Sequence, residues 1–174
     1  GDVALLTTKP YLYVANVSES DLPGDGELAA HVRERAEQEG ADAVVLSAQT
    51  EMELQEWSAG DAAAYRADLG LSESGLQRLV RAGYRLLGLI TFFTATGTKA
   101  VQAWSIQAGT TAVQAAGKVH SDMERGFIRA EVIHFSDLEK WGAFVAVREK
   151  GLLHVEGRDY VVQDGDVIHF RFNV

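Results

Sequence analysis

Two short polar segments carry side chains suited to holding a ligand, Asn16-Val17-Ser18-Glu19 and Ser47-Ala48-Gln49-Thr50. Each follows an apolar run, Tyr11 to Ala15 and Ala43 to Leu46, of the kind that forms strands buried on both faces. Ligands of open parallel sheets sit at the carboxyl ends of the strands. If the two runs pair in parallel, both segments lie on one edge and contact one ligand. Their chemistry is hydrogen bonding: an amide that donates and accepts, a carboxylate that accepts, hydroxyls that do both. The same residues have a plainer reading, in which Asn16 and Ser47 start turns and cap helices. Reactive groups are scarce elsewhere. There is no cysteine, hence no thiol nucleophile and no disulfide. His31, His120, His134, His154 and His169 contain no helical i,i+4 pair, and only His120-Ser121-Asp122 has a familiar ligand spacing, so no metal site is expected. Ser72-Glu73-Ser74-Gly75 reads as a helix start, because no spacing places a base beside either serine.

The elements that must position the two segments follow from periodicity. Between Asp25 and Glu39 the residues Leu28, Ala29, Val32 and Ala36 recur at helical spacing, with Asp25 as N-cap and Gly40 as the stop. Strand, helix and strand in succession imply a parallel pair with a right-handed crossover. A helix from Met52 to Trp57 continuing toward Tyr65 is expected next. Another, from Ser74 to Leu87, should bury Leu76, Leu79, Val80, Tyr84 and Leu87. The period then changes. Leu89 to Ala95 and Ala100 to Ala108 read as strands about a turn at Thr96-Gly97-Thr98, followed by a short helix near Ala112 to Ala116. His120 to Arg129 reads as a tight loop entering a strand from Phe127 to Phe135, and Ser136 as the N-cap of a helical piece. Short strands at Leu152 to Val155, Tyr160 to Val162 and Val167 to Phe172 complete an α+β unit with a mixed sheet, for which a ubiquitin-like β-grasp is the preferred form. Trp57, Trp104 and Trp141 are expected as core or boundary anchors. Phe92 and Phe93 point to opposite faces of their strand, so at most one meets a nucleobase.

Charge divides the chain in the same place. The 174 residues carry 25 acidic and 16 basic side chains, a formal net charge of −9, which opposes indiscriminate adhesion to phosphate backbones or anionic lipid. Residues 1–89 hold 15 acidic and 7 basic side chains against 10 and 9 in the remainder, so two units with different surfaces are expected, 1–87 and 88–174. Apolar runs such as Leu86 to Phe93 fall far short of the ~20 residues of a membrane helix. With no leader pattern at the N-terminus, a soluble cytoplasmic protein without a membrane partner is expected.

The segment Ser47-Ala48-Gln49 resembles the Ser-Ala-Lys segment that closes the base pocket of P-loop GTPases, and Asn16 to Glu19 resembles their Asn-Lys-x-Asp motif with two substitutions. Beyond these, the chain carries Lys9-Pro10, Tyr13-Val14-Ala15-Asn16-Val17, Leu69-Gly70-Leu71-Ser72-Glu73-Ser74-Gly75 and Leu87-Gly88-Leu89-Ile90-Thr91-Phe92-Phe93-Thr94. It also carries His120-Ser121-Asp122-Met123-Glu124-Arg125-Gly126-Phe127-Ile128-Arg129-Ala130-Glu131, and Glu156-Gly157-Arg158-Asp159-Tyr160-Val161-Val162-Gln163-Asp164-Gly165-Asp166-Val167 through Phe172-Asn173-Val174. In this combination, over nearly its whole length, it resembles the carboxyl-terminal portion of the Obg-like ATPases, the YchF family of TRAFAC-class P-loop NTPases.

The resemblance implies an α/β remnant of a P-loop NTPase domain over 1–87, the carboxyl-terminal part of an OBG-type nucleotide-binding domain, then a TGS domain of β-grasp type over 88–174. It implies ATP preferred over GTP as the bound nucleotide, Mg²⁺ in the parent protein, and the ribosome or its subunits, and RNA, as partners. Asn16, Val17, Glu19, Ser47, Ala48 and Gln49 would then surround the base. In the usual motif a short carboxylate accepts two hydrogen bonds from guanine. Glu19 is one methylene longer, and adenine presents a ring acceptor that a carboxylate repels, so a relaxed or reversed guanine preference is expected, with adenine read by Asn16 and the Val17 carbonyl. No Gly-x-x-x-x-Gly-Lys-Ser/Thr occurs, so the phosphate cradle, the Mg²⁺ ligands and the residue that positions the attacking water are not in this chain. A fragment that carries the base-recognition strip without the catalytic half is expected, one that does not hydrolyse ATP alone. The alternative is a stand-alone interaction module that binds the ribosome, RNA or a regulatory nucleotide without NTPase activity.

Overall fold

A computed structural model describes residues 5–96 and 100–173. The chain divides into two compact units, Gly1–Leu87 and Gly88–Val174. In the first, β1 (Leu12–Asn16) and β2 (Asp42–Leu46) pair in parallel, from Leu12 opposite Asp42 to Asn16 opposite Leu46. Side chains alternate across a strand, so the pair presents two faces. α1 (Glu27–Gln38) covers one, with Ala29 and Val32 against Ala15 and Val45. It ends where Gly40 takes φ 66°, a left-handed conformation that glycine adopts without penalty. On the other face, α4 (Gly75–Leu86) sets Ala82 and Leu79 against Leu12, Val44 and Leu46. Between β2 and α4 run α2 (Ala48–Leu54) and α3 (Ala59–Asp68).

Local chemistry corrects several expectations in this unit. Strand β1 is not buried on both faces: Ala15 is buried but Val14 is 45% exposed. Gly26, not Asp25, occupies the N-cap of α1, and Leu28 faces solvent. The helix expected from Met52 toward Tyr65 is two helices, because Ser58 caps a new one by accepting from Asp61 N–H at 3.2 Å. α4 starts at a capping box formed by Ser74 and Gln77, yet Leu76, Val80 and Leu87 are exposed. A two-stranded pair covers only the stripe through Leu79 and Ala82.

The second unit contains β3 (Leu89–Thr96), β4 (Ala100–Gln107), α5 (Ala112–Val119), α6 (Ser121–Arg125), β5 (Phe127–His134), α7 (Phe135–Trp141), α8 (Phe144–Glu149), β6 (His154–Glu156) and β7 (Asp166–Phe172). The five strands lie in the order β4-β3-β7-β5-β6, with β3 parallel to β7 and the other neighbours antiparallel. Phe92, Ile106, Phe127, Val132, Ile168 and Phe170 build the core, closed by fully buried Ala112, Ala115 and Ala116, whose small side chains let α5 approach the sheet closely.

Here too there are corrections. His120 to Arg129 is not simply a loop, since it includes α6, whose Asp122 N–H donates to His120 Nδ1 at 3.1 Å. α7 begins one residue before Ser136, which is not its cap, and α8 was not anticipated. Tyr160 to Val162 forms no strand, only an isolated bridge between Val161 and Thr111. The turn expected through Gly97 and Thr98 lies outside the described residues. Trp104 is half-buried and donates to Thr94 Oγ1 at 2.9 Å, whereas Trp57 and Trp141 are exposed and anchor no core. Phe92 is buried, and Phe93, on the opposite face, packs on Phe135.

Candidate functional site

The parallel register brings the ends of β1 and β2 side by side, and the ladder continues one residue further through Val17 N–H donating to Leu46 O at 2.9 Å. At this point α2 begins. The first N–H groups of a helix have no partner within it. Two side chains satisfy them here: Ser47 Oγ accepts from Thr50 N–H at 3.4 Å, and Asn16 Oδ1 accepts from Ala48 N–H at 2.9 Å. Asn16 therefore caps a helix 32 positions away in sequence. One amide joins the two polar segments. Asn16 is exposed, and its Nδ2 has no acceptor among the described residues, so two donors remain unused there.

Glu19 is engaged by a neighbouring helix. Its Oε1 accepts from the Tyr65 hydroxyl at 2.8 Å, and its Oε2 lies 3.4 Å from Thr50 Oγ1, whose one proton goes to Ser47 Oγ at 2.9 Å. Tyr65 projects from α3 and its ring packs on Trp57, with centroids 5.2 Å apart. The bond to Glu19, followed by desolvation, raises the Tyr65 pKa above the ordinary tyrosine value, so this hydroxyl remains a donor across the neutral range.

The six residues singled out in the sequence are not equivalent. Asn16 and Val17 line a cleft of about 500 Å³ between the end of β1 and the start of α1, walled by Val14, Leu28 and Val32. Ala48 reaches that region only through its bond to Asn16. Ser47 is 3% exposed, its Oγ shared between Thr50 N–H and the Thr50 hydroxyl, which donates to it at 2.9 Å. Gln49 is turned along α2, its Nε2 donating to Glu53 at 3.0 Å. Tyr65 carries no sequence signal, because it meets Glu19 across 46 positions. Thr50 was visible as part of the second polar segment. Among the described residues no group of three or more His, Cys, Asp or Glu side chains is arranged to hold a metal ion, and no helix is long and apolar enough to cross a membrane.

These features define a two-unit mixed α/β protein with a strip of hydrogen-bonding groups at the open end of a parallel strand pair. A family model described as YchF-GTPase_C, protein of unknown function (DUF933), matches residues 89–173. A ribosome-binding ATPase YchF of Bacillus subtilis (strain 168) is 49% identical over 172 residues, covering 98% of this chain and 47% of the relative. One of Escherichia coli O157:H7 is 45% identical over 172 residues, with 99% and 47% covered. The structure of the Schizosaccharomyces pombe YchF GTPase superposes with a TM-score of 0.83 at 32% identity, over 96% of this chain and 44% of that one. A GTP-binding protein of Pyrococcus horikoshii OT3 shares the fold, with a TM-score of 0.66 at 19% identity over 95% of this chain and 46% of its own. The chain belongs to the YchF family and corresponds to the carboxyl-terminal portion of a YchF protein. It spans about half the length of the curated relatives it matches.

Proposed function

We propose that this chain supplies the purine-recognition strip of a cytoplasmic, ribosome-associated NTPase that prefers ATP and also accepts GTP. Residues 1–87 act as the carboxyl-terminal part of the nucleotide-binding domain and residues 88–174 as a TGS domain. The observation that carries the reading is the Asn16–Ala48 bond at 2.9 Å, which joins the two polar loops at one edge and leaves the Asn16 amino group without an acceptor among the described residues. The restrained Glu19 carboxylate supports adenine over guanine, since it accepts from the Tyr65 hydroxyl instead of from the ring donors that guanine presents. For the second unit, the strand order β4-β3-β7-β5-β6 with a parallel β3–β7 pair supports the β-grasp assignment. The names of the relatives support ribosome association. ATP or GTP would be read at its base by Asn16 and the Val17 carbonyl. The sequence holds no P-loop, so phosphate and Mg²⁺ contacts belong to other parts of a parent protein and this chain does not hydrolyse nucleotide alone.

Replacing Asn16 with alanine tests the strip. The variant is expected to weaken ATP binding by about tenfold, the equivalent of one hydrogen bond lost to a bound group. Titration of the chain and its variant with ATP measures it; equal affinities would remove Asn16 from the site. Tyr65→Phe tests discrimination. Without the phenolic donor the Glu19 carboxylate is free to reach the purine edge, so the ratio of GTP to ATP affinity should rise about tenfold, within the range of one carboxylate contact made or lost. An unchanged ratio would show that Glu19 has no influence on the choice of base.

A second reading is favoured by one observation in residues 88–174. Trp141 is 39% exposed, with the ammonium groups of Lys140 and Lys150 5.3 and 5.0 Å from its ring centroid. This aromatic and basic surface supports a docking role for the TGS unit, independent of nucleotide.

A further inference from the structure

A second cleft, of about 310 Å³, lies in the first unit away from the base strip. It touches Arg33 of α1, Arg78, Arg81 and Arg85 of α4, and Ala43 to Val45 of β2. Because α1 and α4 cover opposite faces of the strand pair, a cleft that reaches both must sit along the edge of β2 that β1 does not occupy. Parallel strands bond through alternate residues. Leu46 faces β1, since its carbonyl accepts from Val17, so the N–H groups of Ala43 and Val45 point outward along this edge.

The charge here is opposite to that of its surroundings. Four of the seven basic residues in 1–89 line the cleft, in a segment that carries fifteen acidic ones. Two carboxylates answer them: Glu73 pairs with Arg81 at 2.9 Å, and Asp42 with Arg85 at 3.0 Å. Arg33 donates to the Gly24 carbonyl at 2.6 Å. Arg78 has no such answer. Its Nε and Nη2 are buried with no acceptor among the described residues. A buried charged donor left unpaired is costly, and a guanidinium is shaped to meet an oxyanion through two parallel bonds. A phosphate group has enough oxygens to engage Arg78 together with a neighbouring arginine and an edge N–H, which a single carboxylate does not. The volume lies at the small end for ligand sites, suited to a phosphate or pyrophosphate and its first contacts.

We infer that the cleft between α1 and α4, beside the outer edge of β2, binds a phosphate group through Arg78, with Arg81 and Arg85 completing the cationic wall. The phosphate comes either from a small phosphorylated molecule or from an RNA strand. The site uses no residue of the purine strip and stands whether or not that strip binds nucleotide.

The test is a titration of the whole chain with inorganic pyrophosphate, and separately with a short single-stranded RNA, followed by side-chain NMR of the arginine Nε–H groups and the backbone amides. Saturable shifts of Arg78 Nε–H and of the Ala43 and Val45 amides are expected. In Arg78→Met the affinity should fall at least about tenfold, the loss of one charge-assisted pair, while Arg78→Lys loses less. Arg81→Met provides a second reading if Arg78→Met does not fold, with the same direction expected. A response to pyrophosphate alone assigns a small ligand, and a response to RNA at the same amides assigns a polymer. Absence of saturation by either at millimolar concentration, or equal affinity in folded Arg78→Met, overturns the site.

Discussion

Gly126→Ala is expected to lower the unfolding midpoint of the second unit by about 10 °C or more, the result of about 3 kcal/mol of overpacking in a domain of this size. Gly126 closes α6 and opens the approach to β5. Its N–H donates to Asp122 O at 2.9 Å and its own carbonyl accepts from Asn173 N–H at 2.9 Å. A Cβ placed there collides with the Asn173 carbonyl oxygen and lies 2.8 Å from the carbonyl carbon. Those are main-chain atoms at the end of β7, so no side-chain rotation relieves the clash. Relief requires β7 to draw away from Gly126, at the margin of the sheet beside Phe127 and Phe172. Gly157→Ala is the matched control, because nothing lies within 4 Å of its added methyl. Calorimetry on both variants decides the matter; a shift below about 2 °C for Gly126→Ala, less than 1 kcal/mol, would show that the backbone yields freely there.

Asp166→Ala should cost about 3–5 kcal/mol, the range for removing one member of a buried charged network. Asp166 is fully buried at the start of β7. Its Oδ2 accepts from the Tyr160 hydroxyl at 2.8 Å and from Gln163 N–H at 2.9 Å, pinning the loop that precedes the strand. The other oxygen, Oδ1, lies 2.9 Å from His134 Nδ1 and has no other partner among the described residues, so it is satisfied when His134 carries a proton on Nδ1. Alanine strands both the Tyr160 hydroxyl and the Gln163 N–H. Denaturant unfolding measures the loss, and a change below about 1 kcal/mol would mean that water replaces the carboxylate at no cost. The same cluster sets an alkaline limit. Burial first, then the bond to Asp166, raises the Tyr160 pKa far above its ordinary value near 10. The unfolded chain therefore ionises first. Stability from this group is complete below the ordinary tyrosine value and is lost as pH rises beyond it.

The strands β1 to β7 and their order along the chain were legible because β-branched and aromatic runs separated by glycines admit few alternatives, whereas the short run Tyr160 to Val162 makes only a single bridge to Thr111. The polar ends of β1 and β2 were legible for the same reason: a side chain directly after a buried run must lie at a sheet edge. The partition of labour at that edge was not. Nothing in the spacing of Ser47 distinguishes a buried cap from a ligand contact, and the Glu19–Tyr65 bond depends on the break at Ser58 that starts α3, which the apparently continuous helical pattern from Met52 concealed. On α4 the apolar face is wider than the two strands beneath it, so periodicity overstates its burial: Leu76 and Val80 remain outside while Ala82 is enclosed. Asp25 has the residue type of a cap, although the chain takes the N-cap conformation one residue later, at Gly26.

The unequal cores of the two units set a hierarchy in time as well as in space. Among the described residues the second unit encloses one cluster of eleven buried residues, whereas the first relies on two clusters of three, one on each face of a two-stranded ladder. Local opening is easiest where little apolar surface must be uncovered. The amides around Asn16 and Ala48 therefore exchange with solvent long before those of β5 and β7. The edge that carries the candidate purine contacts is therefore expected to open and close many times within one lifetime of the five-stranded sheet.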